Sequence, residues 1–142
     1  MSKIAVVYWS GTGNTEAMAD AVAAGAKEVG AETALFTPAE FGADHIPEYD
    51  ALAFGCPAMG AEVLEEEEFE PMFSACLKAL AGARVGLFGS YGWGDGEWMR
   101  EWEQVCRNGG VALICNGVTC CEAPDAEAEA ACKALGAKLA QG

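Results

Sequence analysis

The chain has 142 residues, 52% of them hydrophobic, and carries 22 acidic against 8 basic side chains for a formal charge of -14. That length and composition suit one core of ordinary size, so a single domain over residues 1–142 is expected. Nucleic acid and anionic membrane surfaces are poor partners for such a charge, because phosphate contacts need clustered Lys and Arg; basic proteins are favoured.

Met1 to Lys3 lead into an apolar pattern with no small-residue cleavage site, so no targeting segment and a cytoplasmic location are expected. Ile4 to Trp9 is a continuous apolar run and reads as a strand buried on both faces. After a glycine-rich turn, Glu16 to Glu28 is Ala-rich with helical spacing, and Gly30 is its stop. Glu32 to Phe36 is a second strand, Pro38 to Pro47 turn material, and Ala51 to Gly55 a third strand. A strongly acidic stretch from Glu62 to Glu70 precedes a helix over Pro71 to Leu80. Arg84 to Gly89 holds a fourth strand. Glu97 to Arg107 is a helix with an apolar stripe of Trp98, Trp102 and Val105. Val111 to Cys115 is the fifth strand, and Pro124 to Leu139 a closing helix with Asp125 at its dipole-favoured end.

Apolar strands alternating with amphipathic helices predict an α/β fold: a doubly wound parallel sheet with helices on both faces. Ligands of such folds sit beyond the carboxyl ends of the strands, at the point where strand order reverses. The loops after strands one, three and four are therefore where function is expected.

The loop after strand one is Ser10-Gly11-Thr12-Gly13-Asn14-Thr15. Its glycines let the backbone turn tightly and aim N–H groups into one concavity, the hydroxyls and the amide add donors, and the next helix adds its positive end. This composition suits a phosphate held by neutral donors alone. A Walker loop would need a Lys here, and the dinucleotide fingerprint would need Gly where Glu16 stands. A cysteine phosphatase would need a Cys in the loop, and none is there. A phosphorelay receiver would need acids where Trp9-Ser10 stand and an Asp where Cys56-Pro57 stand.

The seven Cys are odd in number and form no CxxC pair, so reduced thiols are expected rather than a disulfide framework or a metal site. His45 is the only histidine. Trp98 and Trp102, four apart on a helix, read as core, Trp9 as a wall of the phosphate loop, and Trp93 as a side chain free to stack on a ligand. Glu66 to Glu68, in an acidic run that also includes Glu65, read as a solvated face.

Ser10 to Thr15 resembles, at every position, the phosphate loop of the flavodoxins. Gly55-Cys56-Pro57-Ala58-Met59-Gly60-Ala61-Glu62 and Phe88-Gly89-Ser90-Tyr91-Gly92-Trp93-Gly94-Asp95-Gly96 are similar to the two flavin loops of the short-chain members. The resemblance implies a flavodoxin-like five-stranded sheet of order 2-1-3-4-5 and one bound FMN. It implies that Ser10, Gly11, Thr12, Gly13, Asn14 and Thr15 hold the phosphate. Pro57, Ala58, Met59 and Gly60 would approach the ring, with Glu62 on flavin N3–H. Ser90, Tyr91, Gly92, Trp93, Gly94 and Asp95 would also bind the cofactor, the backbone of Tyr91 to Asp95 at the pyrimidine end of the ring, with Met59 and Trp93 on opposite faces. Ala61 departs from the Asp or Ser frequent at its position, which bears on the redox potentials.

The function this implies is a low-potential one-electron carrier, using the semiquinone/hydroquinone couple of FMN, with no substrate turnover of its own. Its partners would be ferredoxin-type reductases and oxidoreductases with basic docking faces, and the chain itself a monomer. The alternative is a small FMN-dependent NAD(P)H:quinone-type reductase, which generally needs added segments for a second substrate pocket.

Overall fold

Each long apolar run becomes a strand, and each Ala-rich or striped segment a helix. The computed structural model describes residues 3–11, 13–59, 64–92 and 96–141. In chain order the elements are β1 (Lys3–Tyr8), α1 (Asn14–Glu28), β2 (Glu32–Phe36), β3 (Ala51–Gly55), α2 (Phe69–Cys76) and β4 (Arg84–Tyr91). They continue with α3 (Glu97–Asn108), β5 (Ala112–Leu113), β6 (Val118–Cys121) and α4 (Ala126–Gln141). Pro38 to Glu40, Ala43 to Glu48 and Leu77 to Leu80 are short 3-10 turns.

The strands pair in parallel in the order β2-β1-β3-β4-β5, as the resemblance implies. The fifth position differs from expectation. Only Ala112–Leu113 pairs with Arg84–Val85; the chain then bends, and β6 resumes the edge against Phe88–Tyr91. The bend is held by the buried Glu103 of α3, whose carboxylate accepts the Gly117 N–H. Two short strands therefore do the work of the single one expected over Val111 to Cys115.

Successive residues of β1 face opposite sides of the sheet. Ala5 and Val7 join the core under α2 and α3, and Ile4 and Val6 the core under α1 and α4. The first core is aromatic: Trp102 makes edge contacts with Phe69 (5.4 Å) and Phe73 (5.5 Å), and Phe73 with Phe54 (5.1 Å). In the second, α1 and α4 cross in backbone contact. A Cβ on Gly25 would strike the carbonyl of Lys133, and one on Gly136 the carbonyl of Val22.

Two side chains part from the sequence reading. Val105 is 46% exposed; the buried stripe of α3 runs instead through Trp98, Met99, Trp102 and Cys106, where i, i+4 and i+8 align. Glu65 does not belong to a solvated run. It is 6% exposed and accepts the N–H groups of Glu67 (2.9 Å), Glu68 (2.8 Å) and Phe69 (2.8 Å). These are orphan donors at the start of α2, which explains why that helix begins at Phe69 rather than at Pro71.

Burial alone would raise the Glu65 carboxyl, but the three N–H donors outweigh it and hold the group below its usual value. A carboxyl depressed in the folded state stabilises the fold above its unfolded pKa, and that stability is lost as pH falls through the folded value. Glu65→Ala should therefore cost about 1–3 kcal/mol at pH 7. The gap from the parent should shrink below about pH 4, which urea unfolding at several pH values reads directly.

Candidate functional site

The carboxyl ends of β1 and β3 lie level, because Tyr8 pairs with Gly55, and β4 runs three residues past them, since Gly55 pairs with Phe88 and β4 ends at Tyr91. Pairing runs on into the loops. Trp9 N–H donates to the Gly55 carbonyl (3.0 Å), Cys56 N–H to Phe88 (3.1 Å) and Ala58 N–H to Ser90 (2.9 Å). The three loops are thereby drawn around one cleft of about 510 Å³.

Trp9, Gly11 and Asn14 come to this cleft from the first loop, Pro57, Ala58 and Met59 from the second, and Ser90, Tyr91 and Gly92 from the third. In the first loop Ser10 Oγ accepts the N–H groups of Gly13 (3.0 Å) and Glu16 (3.3 Å), and so pins the turn. Gly13 caps α1 at φ 93°, a left-handed conformation that costs glycine little. Thr15 points inward at 1% exposure and shares a 3.1 Å hydrogen bond with Ser90, itself 4% exposed. That bond fastens the first loop to the third. Thr12, Gly60, Glu62, Trp93, Gly94 and Asp95 lie outside the described residues.

Several side chains support the cleft from behind. The indole N–H of Trp9 donates to Glu68 Oε2 (2.9 Å), which ties the first loop to the turn before α2. Trp98 donates its indole N–H to the Cys56 carbonyl (3.1 Å), and its ring lies 5.6 Å from that of Tyr91. Cys56 Sγ accepts the Glu65 N–H (3.3 Å), and burial pushes its thiol up to about 12, so it stays protonated. The sequence reading did not find Glu68 as a tether for Trp9, although its Trp9 does wall the loop. Nor did it find Glu122, which lines the cleft from the end of β6 and donates its N–H to the Tyr91 carbonyl (2.7 Å). Glu122 has φ 60°, and no sequence signal marks a non-glycine residue there. All seven cysteines are free thiols; Cys121 is exposed, and among the described residues no group of three potential ligands could hold a metal ion.

A family model described as Flavodoxin matches residues 6–135. A flavodoxin of Megasphaera elsdenii is 44% identical over 138 residues, covering 97% of this chain and 98% of its own. The chain belongs to the flavodoxin family. A flavodoxin of Clostridium beijerinckii is also 44% identical, over 135 residues that cover 95% of this chain and 97% of that one. The solution structure of two-electron reduced Megasphaera elsdenii flavodoxin superposes with a TM-score of 0.89 over 98% of this chain and 99% of that one. An archaeal flavodoxin, 26% identical, gives 0.87.

Membership makes the protein a small FMN electron carrier rather than an enzyme with a substrate of its own. Its cleft suits that cofactor. A phosphate needs donors, and the first loop offers backbone N–H groups, hydroxyls and a helix N-terminus; a flat ring needs apolar surface, and Pro57, Ala58, Met59 and Tyr91 line the same cleft.

The Thr15–Ser90 bond can be weighed in the protein without cofactor. Ser90→Ala leaves a buried hydroxyl without its partner and should cost about 1–2 kcal/mol in urea unfolding. Thr15→Val should cost less in the Ser90→Ala background than alone, and a double-mutant cycle measures the difference.

Proposed function

We propose that this protein is a low-potential one-electron carrier in which the three converging loops hold FMN. The observation that carries this reading is the single cleft into which the neutral-donor loop after β1 and the apolar loops after β3 and β4 all open. Ser10, Gly11, Thr12, Gly13, Asn14 and Thr15 would take the phosphate. Pro57, Ala58, Met59, Gly60 and Glu62 would take one side of the ring and Ser90 to Asp95 the other, with Met59 and Trp93 on its faces.

FMN, when bound, supplies one-electron chemistry, and the protein sets its energies. Residues 10–15 contain no Lys or Arg, and the chain as a whole carries -14. Such surroundings oppose the gain of negative charge in the cleft, so the potential of the more reduced couple is lowered. The same charge steers basic partners, and ferredoxin-type reductases and oxidoreductases with basic docking faces fit it. No helix of the described residues is long and apolar enough to cross a membrane. A monomeric, cytoplasmic, single-domain carrier is the simplest form of this reading.

Purified protein titrated with FMN should bind one equivalent. Anaerobic stepwise reduction should then show two separate one-electron steps in the visible spectrum. Protein that takes up no FMN, or that is reduced by NAD(P)H alone in one two-electron step, would contradict the proposal. Salt should act in opposite directions on the two associations. Between about 0.02 and 0.3 M ionic strength, screening should tighten FMN binding, because the dianion is repelled by the acidic chain. Over the same range it should slow electron transfer to a basic reductase.

A further inference from the structure

The two ladders that flank β3 stop at different places. On the β4 side pairing continues past the strand, through Cys56 N–H to the Phe88 carbonyl (3.1 Å) and Ala58 N–H to the Ser90 carbonyl (2.9 Å). On the β1 side the last bond is Trp9 N–H to the Gly55 carbonyl (3.0 Å). Among the described residues no backbone bond joins the first loop to the second beyond it.

The cause lies in the chain itself. Along an extended strand, successive residues turn their amide groups to opposite neighbours. Cys56 and Ala58 turn theirs to β4, so residue 57, like Gly55, turns its own towards the first loop. With Tyr8 in register with Gly55, the next bond of a parallel ladder runs from the N–H of residue 57 to the Trp9 carbonyl. Residue 57 is proline and has no N–H to give. That bond cannot form, and the first and second loops part here. The first loop is not loose in consequence. The Trp9 indole N–H donates to Glu68 (2.9 Å), and Thr15 shares a hydrogen bond with Ser90 (3.1 Å). The opening is therefore held from both sides.

Trp9, Gly11 and Pro57 all line the cleft. Under the carrier reading, residues 10–15 take the phosphate and residues from Pro57 onward approach the ring. The part of FMN that links phosphate to ring then has to run between the first and second loops. A bond from residue 57 to Trp9 would draw these two loops together across that path. The Ala58–Ser90 bond joins the second and third loops instead and leaves the path clear.

We infer that Pro57 is a positioning residue: by withholding one N–H it ends the β1–β3 ladder at Gly55 and keeps the first and second loops apart for the cofactor. This deepens the electron-carrier reading and rests on it. Any other residue at 57 supplies the N–H, and a flavin-free protein would then spend part of its time with the two loops paired. FMN would bind only the remaining open fraction.

The test compares the parent with Pro57→Ala, both free of flavin and then loaded with FMN. In the flavin-free variant, labelled with 15N and 13C, a coupling across the hydrogen bond should connect the residue 57 nitrogen to the Trp9 carbonyl carbon. Loading with FMN should abolish it. Stopped-flow mixing should show FMN associating about two- to tenfold more slowly than with the parent, the range that one net hydrogen bond spans. Pro57→Gly adds the same N–H without a side chain and should behave alike, which keeps the test open should the alanine variant misfold. If proline merely stiffened the loop, the new amide would be unpaired and exchange freely with solvent, and association would not slow. The inference is overturned by that result, by a coupling that persists in the loaded variant, or by association as fast as in the parent. A parent protein that takes up no FMN overturns the carrier reading itself before any variant is compared, so the two failures are distinct.

Discussion

The hydrogen bonds that continue past the ends of β3 set everything else in place. β3 is buried along its whole length, between β1 and β4, and a slip of one residue would exchange the sides facing the two cores. With register so constrained, the bonds from Trp9 to Gly55, from Cys56 to Phe88 and from Ala58 to Ser90 carry the ladder beyond the regular strands. Pro57 to Met59 therefore run beside Ser90 and Tyr91 instead of wandering as a surface loop. The Thr15–Ser90 bond closes the third side. Ligand-binding loops are usually the least stable parts of a fold; here the described parts of the three loops inherit the rigidity of the sheet.

The acidic residues divide into two populations. Glu65 and Glu103 are buried and serve the backbone, the first accepting the orphan donors of α2 and the second the Gly117 N–H where the edge strand breaks. Most of the others are on the surface, where they add little to stability. The Lys133–Glu28 contact of 3.5 Å, for example, is exposed on both sides, and such pairs contribute at most about 1 kcal/mol. An excess of 14 negative charges is a standing cost in self-repulsion, offset by two dense cores.

Much of this was legible in the sequence because parallel α/β folds write their pattern in long stretches. A strand buried on both faces is a continuous apolar run, as in Ile4 to Val7 and Ala51 to Phe54, and needs no periodicity to be seen. The tight turn after β1 was legible because six consecutive positions are glycine or donors. What was missed depends on contacts distant in sequence. The break between β5 and β6 rests on Glu103, fourteen residues before Gly117, and a single apolar run was the only local sign of a strand. Glu65 looks like its neighbours in composition; only the position of the α2 N-terminus, three to four residues on, separates a cap from a solvated acid. Val105 shows the limit of a stripe read at i+3: the helix of 3.6 residues per turn puts Cys106, not Val105, beneath Trp102.

The neutral character of the first loop is the counterpart of the acidic surface. A phosphate dianion approaching a chain of charge -14 is repelled at long range, and no Lys or Arg within residues 10–15 reverses this locally. Attraction has to come from short-range groups of fixed direction: backbone N–H groups, hydroxyls and the end of α1. Such groups act only when their geometry is right, so they favour a phosphate at one position over an anion anywhere on the surface. They are also weak singly, and Ser10 Oγ already occupies two of the local N–H groups in holding the turn. In the proposed reading, the apolar surface of Pro57 to Met59 and Tyr91 in the same cleft would supply the rest by burying a ring. It is the overrunning ladder of β1, β3 and β4 that brings the donor-rich turn and this apolar surface into one cleft.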